Sequence, residues 1–170
     1  MGRRSNFPRS AADKYRTTFK ATLPLVPYIE RGATFAELCA GDGRLVRHME
    51  RHGLRCVHMS DLYPDDLLMT RADALQIPLP ECDYLLTNPP WSRWLLHPMI
   101  DRFRRHAPTW LLFDAGWMFT AQSAPYMKYC ELIIAVGRVR WIDGTTQDGK
   151  DDAAWYKFVN HETHTRIIGR

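Results

Sequence analysis

Two short stretches of the chain combine residue types that chemistry can use. Asn88-Pro89-Pro90-Trp91 follows the β-prone run Cys82-Asp83-Tyr84-Leu85-Leu86-Thr87, which reads as a buried strand. The two prolines stop that strand, because each lacks an amide donor and biases the residue before it away from helix. What remains is a rigid, extended edge on which the Asn88 side chain and the Asn88 and Pro89 carbonyls can accept hydrogen bonds. Trp91 adds a flat apolar face beside them. Such an edge suits a planar group with an exocyclic amino nitrogen, held by acceptors and stacked on an indole. That nitrogen is a weak nucleophile, since its lone pair is delocalised. Acceptors on both N–H bonds favour a pyramidal nitrogen and its developing positive charge.

The second stretch, Glu37-Leu38-Cys39-Ala40-Gly41-Asp42-Gly43, lies far enough upstream to leave room for further βα units before Asn88. Gly41 and Gly43 permit a tight strand-to-helix turn and close approach of a ligand. A dinucleotide fingerprint would place its third glycine where Val46 stands, so the turn is not built for a pyrophosphate. Glu37 would repel a phosphate and suits a ligand with an ammonium group. Asp61 closes a second strand, where doubly wound folds turn a carboxylate toward ribose hydroxyls. Asp73 follows a weak third strand.

Taken in this order, the motifs resemble those of class I S-adenosylmethionine-dependent methyltransferases, in particular the amino-methyltransferases with an (Asn/Asp)-Pro-Pro-aromatic motif. The resemblance runs from about residue 33 to the end of the sequence. It implies S-adenosylmethionine as cofactor, held by Glu37, Cys39, Gly41, Asp42, Gly43, Asp61, Asp73, Ala74 and Asn88, with Asp73 accepting from the adenine amino group. It implies a catalytic edge of Asn88, Pro89, Pro90 and Trp91, with Trp91, Arg93 and Lys150 on the substrate side. Within the group the chain is most similar to a compact, phage-like DNA adenine N6-methyltransferase, with the base flipped onto Trp91. An amino group of an RNA base is the second reading. A protein glutamine amide is the third, since that branch usually carries Tyr in place of Trp91 and an additional helical domain. A fold retained only for binding is the non-enzymatic alternative.

The elements that must position these residues alternate. Strands are expected at 34–39, 55–60, 69–72, 82–87, 109–115, 130–136 and 154–159, with helices at 44–52, 94–106 and 121–129. Alternation of this kind predicts a Rossmann-like α/β fold with helices on both faces of a mostly parallel seven-stranded sheet. Between 136 and 154 there is no helical period, so the seventh strand should return antiparallel, as a hairpin partner of the sixth. Its polar loop, 144–152, then lies at the carboxyl edge, with Lys150 available to a phosphate. A kinked helix over 13–30, interrupted by Pro24 and Pro27, should cover the domain, and residues 1–12 read as a mobile basic arm.

Composition narrows the class. The 170 residues are 45% apolar, enough for one domain with a proper core, and no apolar run approaches membrane-spanning length. The basic N-terminus lacks the apolar segment of a signal peptide, and Gly2 does not make a convincing myristoylation site. A net charge of +4 is compatible with a nucleic-acid partner, and Arg3, Arg4, Arg9, Lys14, Arg16 and Lys20 gather at one end. Arg102, Arg104, Arg105 and His106 close a helix, where they also complement its dipole. Four separated cysteines, Cys39, Cys56, Cys82 and Cys130, read as buried thiols of a cytoplasmic protein. His161-Glu162-Thr163-His164 reads as a polar tail with no metal.

Overall fold

The computed structural model describes residues 15–66, 69–141 and 149–170. The basic arm at 1–12, the first two residues of the expected helical cover and most of the 144–152 loop lie outside the described residues.

Among the described residues, eight strands form one sheet: β1 (Thr34–Glu37), β2 (Arg55–Asp61), β3 (Thr70–Arg71), β4 (Tyr84–Thr87), β5 (Thr109–Asp114), β6 (Cys130–Arg138), β7 (Asp152–Phe158) and β8 (Arg166–Ile168). Their order is β3-β2-β1-β4-β5-β7-β6-β8. β7 is inserted antiparallel between β5 and β6, pairing Asp114 with Ala153 on one side and Arg138 with Asp152 on the other. The remaining pairings are parallel. The expected hairpin is present, so its connection leaves from the carboxyl edge of the sheet. β8 is one strand more than the seven expected. It is three residues long inside a polar segment, with no alternation to announce it, and it exists because the outer edge of β6 is available for pairing.

Adjacent strand residues enter opposite cores, as they must when a sheet is covered on both faces. Ala36, Leu85, Leu111 and Tyr156 face one cluster, with Leu96, Ile100 and Phe103 of helix α3 (Arg93–His106). Phe35, Leu86, Trp110 and Trp155 face the other, with Leu45, Val46 and Met49 of helix α2 (Arg44–Arg51). α2 ends as expected at Gly53, whose φ of 93° lets its amide return to the Glu50 carbonyl.

The N-terminal cover is less helical than expected. Only α1 (Phe19–Thr22) is an α-turn, and Leu23–Tyr28 is a 3-10 segment. Pro24 and Pro27 remove two amide donors, which leaves too few for α-helical bonding. The segment is nonetheless fastened to the domain. Leu25 is fully buried, and the Trp155 indole N–H donates to the Ala21 carbonyl at 2.8 Å. The helix expected at 121–129 is likewise fragmented, into a 3-10 turn at Ala121–Ser123 and a single α-turn, α4 (Ala124–Met127), and a further 3-10 turn, Ala115–Phe119, precedes it.

Candidate functional site at the carboxyl edge

β1 delivers Glu37 to the carboxyl edge of the sheet and ends there, because Gly41 and Gly43 adopt φ of 56° and 71° and turn the chain into α2. β2 delivers Asp61 beside it, and β4 delivers Asn88 from the other side of β1. A cavity of about 710 Å³ opens between them, large enough for a nucleoside-sized ligand.

Glu37 is its least conventional wall. The side chain is 1% exposed, and neither carboxylate oxygen has a hydrogen-bond partner among the described residues. Burial pushes its pKa well above the usual carboxylate range, and the charges of Asp61 and Asp42 push the same way. The Thr87 hydroxyl and the Asn88 backbone lie near enough to moderate the shift without geometry for a full hydrogen bond. A buried carboxylate without a partner is costly unless a cation or donor completes it. The fit to a ligand ammonium is therefore chemical as well as positional.

Asp61 is held rather than loose. One oxygen accepts from the Gly41 amide at 2.8 Å and the other from the Tyr63 amide at 2.7 Å. A carboxylate has about four lone-pair sites, so two hydroxyl donors could still be taken on the cavity side. Asp73 closes a turn by accepting from the Leu75 amide and from the Gln76 side chain, and lines the cavity together with Ala74. Asp42 also lines it, ion-paired with Arg16 and Arg44 at 3.4 Å each. Cys39 lies on the same wall, and burial raises its thiol far above the ordinary value, so it stays protonated.

Gly41 and Gly43 are absent from that wall, where the backbone presents Ala40 and Asp42 instead. Both shape the turn that carries Ala40 and Asp42 to it. A Cβ added at Gly43 would lie 3.2 Å from Arg47 Nη1, outside the main cavity.

On the opposite wall, Asn88 and Pro90 face the cavity and Pro89 is buried. Trp91 does not face it. Its indole is half-buried, packs edge-on against Trp141 with centroids 5.7 Å apart, and donates Nε1–H to Asn88 Oδ1 at 3.3 Å. The exposed indole at the mouth belongs to Trp94, which lines the cavity and is 75% exposed. Arg93 points to Gln122 and braces the first turn of α3 against the segment after β5. Lys150 is exposed beside the hairpin base, near the acids Asp151 and Asp152.

Three contributors were not evident from the sequence. Tyr15, Arg16 and Thr17 form part of the cavity wall, although they precede every strand by many residues. Tyr15 and Thr17 accept hydrogen bonds from the Asn88 amide at 3.0 and 3.2 Å. No local pattern signals this, since it depends on how Ala21 and Leu25 dock. Trp94 was accessible to inspection as a second tryptophan within one helical turn of the first.

No family model matches the chain, and a comparison with curated proteins finds no matching sequence. Solved structures do match in fold. A Pyrococcus horikoshii protein provisionally assigned as an RNA methyltransferase superposes with a TM-score of 0.67 at 14% identity, covering 91% of this chain and 90% of its own. A methyltransferase subunit of a type I restriction-modification system from Streptococcus thermophilus gives 0.63 at 12% identity, covering 91% of this chain and 47% of its own. A TehB-like S-adenosylmethionine-dependent methyltransferase from Corynebacterium glutamicum gives 0.53 at 14% identity, covering 83% and 86%. The architecture is that of the class I methyltransferases, with β7 antiparallel inside an otherwise parallel sheet.

Proposed function

We propose that this chain transfers a methyl group from S-adenosylmethionine to the exocyclic amino group of a nucleobase, with adenine N6 in DNA as the first candidate. The observation that carries this reading is one cavity with two unlike walls: a buried, unpartnered Glu37 on one and the Asn88 acceptor on the other. Glu37 would take the cofactor ammonium, Asp61 its ribose hydroxyls, and Asp73 with Ala74 its adenine. The bound sulfonium supplies an already activated methyl carbon.

What the chain must do is align an amino nitrogen with that carbon and support the charge it acquires. Alignment alone supplies several kcal/mol of rate enhancement. Asn88 Oδ1 and the Pro89 carbonyl accept from the two N–H bonds, which favours pyramidal nitrogen as the new bond forms. No strong base is required, because the proton can leave to solvent after transfer. Trp94, rather than Trp91, offers the open face on which an unstacked base can lie. The basic residues of the N-terminal segment supply attraction to phosphate.

An amino group of an RNA base is the second reading, favoured by the likeness to the Pyrococcus protein. Transfer of labelled methyl to duplex DNA, single-stranded DNA, structured RNA and protein tests both. Label in N6-methyladenine of DNA supports the first candidate. Label in RNA alone transfers the reading to RNA, and label in protein glutamine removes both.

A further inference from the structure

The carboxamide of Asn88 is held by three hydrogen bonds whose partners allow one orientation. Nδ2 donates to the Tyr15 carbonyl at 3.0 Å and to Thr17 Oγ1 at 3.2 Å, while Oδ1 accepts from the Trp91 indole N–H at 3.3 Å. A backbone carbonyl can only accept and an indole N–H can only donate. Turning the carboxamide over would set oxygen against the Tyr15 oxygen and NH2 against the indole N–H, so two bonds would become repulsions. Both hydrogens of Nδ2 are used. The group that Asn88 can still offer to a ligand is its oxygen, which keeps a second lone pair.

The partners are themselves fixed. Trp91 packs edge-on against Trp141, and Trp141 against the Tyr15 ring with centroids 6.0 Å apart, so Trp141 ties together the two residues that bond the carboxamide from opposite ends. Thr17 is 4% exposed, and the chain that follows it is fastened by the Trp155 bond to Ala21.

We propose that Tyr15, Thr17 and the Trp91 indole N–H form an orientation lock that makes Asn88 a one-way acceptor, with Thr17 and Trp91 as positioning residues for methyl transfer. Trp91 then acts through its N–H as well as its ring. The lock also makes asparagine obligatory at position 88 of this chain. An aspartate would direct a second acceptor oxygen at the Tyr15 carbonyl, with no proton between them. This inference rests on the acceptor role of Asn88 proposed above.

The test uses the full chain and two readouts. Trp91→Phe identifies the Trp91 resonance among the indole N–H signals of the nitrogen-15 spectrum. Thr17→Val keeps the shape of the side chain and removes its acceptor. It should move the Trp91 resonance and, at saturating cofactor, lower the single-turnover rate about tenfold, the scale of one lost hydrogen bond. Thr17→Ser should restore both, and Asn88→Asp should remain inactive across neutral pH. The lock is refuted by a Thr17→Val protein with the wild-type Trp91 signal and rate, or by an Asn88→Asp enzyme as fast as wild type. If the wild-type chain methylates no amino substrate, the proposed function fails, yet the Trp91 signal in Thr17→Val still decides the lock.

Discussion

Glu37→Gln separates two consequences of one buried carboxylate. In the free protein Glu37 is buried without a partner, and burial raises its folded-state pKa above the unfolded value. The folded state therefore binds more protons than the unfolded state between those two values, and stability falls as pH rises through that window, then levels off. Glutamine fills the same space with no charge and loses no hydrogen bond that Glu37 makes. The variant should melt at a higher temperature than wild type at neutral pH. The gap should close as pH falls into the ordinary carboxylate range. Cofactor binding should respond in the opposite sense. An ammonium on ionised Glu37 is a charge-assisted contact of about 1.5–3 kcal/mol, so the variant should bind S-adenosylmethionine about ten- to a hundred-and-fifty-fold more weakly. Wild-type affinity should also rise with pH across the window in which stability falls, because Glu37 must ionise to pair. Calorimetric titration and thermal denaturation from pH 4.5 to 8 measure both. Equal affinities, or parallel melting curves for the two proteins, would remove Glu37 from the cofactor site.

Other perturbations address the remaining walls. Asn88→Ala should lower the single-turnover methyl-transfer rate far more than cofactor affinity, since its bond strengthens only as the nitrogen gains charge. Rapid-quench kinetics beside a binding titration reads the split. Trp94→Ala should weaken nucleic-acid capture by about 1–3 kcal/mol in fluorescence anisotropy, while the same change at the less accessible Trp91 should act mainly on rate. Gly43→Val forces a branched side chain into a left-handed backbone at a cost of about 1–2 kcal/mol, a melting-temperature loss of about 2–8 °C. Because Gly43 lies off the cavity wall, its effect on cofactor affinity should be smaller than that of Glu37→Gln. Lys150→Ala should raise the Michaelis constant for nucleic acid if the hairpin loop meets the backbone, with cofactor affinity unchanged. An unaltered constant assigns recognition to the arginine-rich N-terminus.

The sheet was legible wherever both faces are buried. Runs such as Leu85-Leu86 and Leu111-Leu112 are apolar in both registers, and the hairpin between β6 and β7 followed from the absence of helical period between them. That Asp61, Asp73 and Asn88 come to one cavity was legible in position, because each follows or ends a parallel strand and so lies at the same edge of the sheet. What could not be read depends on docking. Tyr15 and Thr17 reach Asn88 across 73 and 71 residues of sequence. Nor could the sequence show that Trp91 is packed against Trp141 while Trp94 stands exposed. Pro24 and Pro27 were recognised as helix breakers, but only the structure shows them favouring a 3-10 segment.

β8 has a consequence beyond its length. Without it, β6 would present nine residues of unpaired backbone along a largely buried, apolar strand, a template on which another chain could add. Arg166–Ile168 occupies part of that row and replaces a long apolar border with a short one bearing an arginine. At the other end of the sheet, β3 limits the exposed border differently, being only two residues, Thr70 and Arg71, both exposed. The sheet thus ends on both sides in strands of only two and three residues, each bearing an arginine, which leaves little backbone on either border for another strand to pair with.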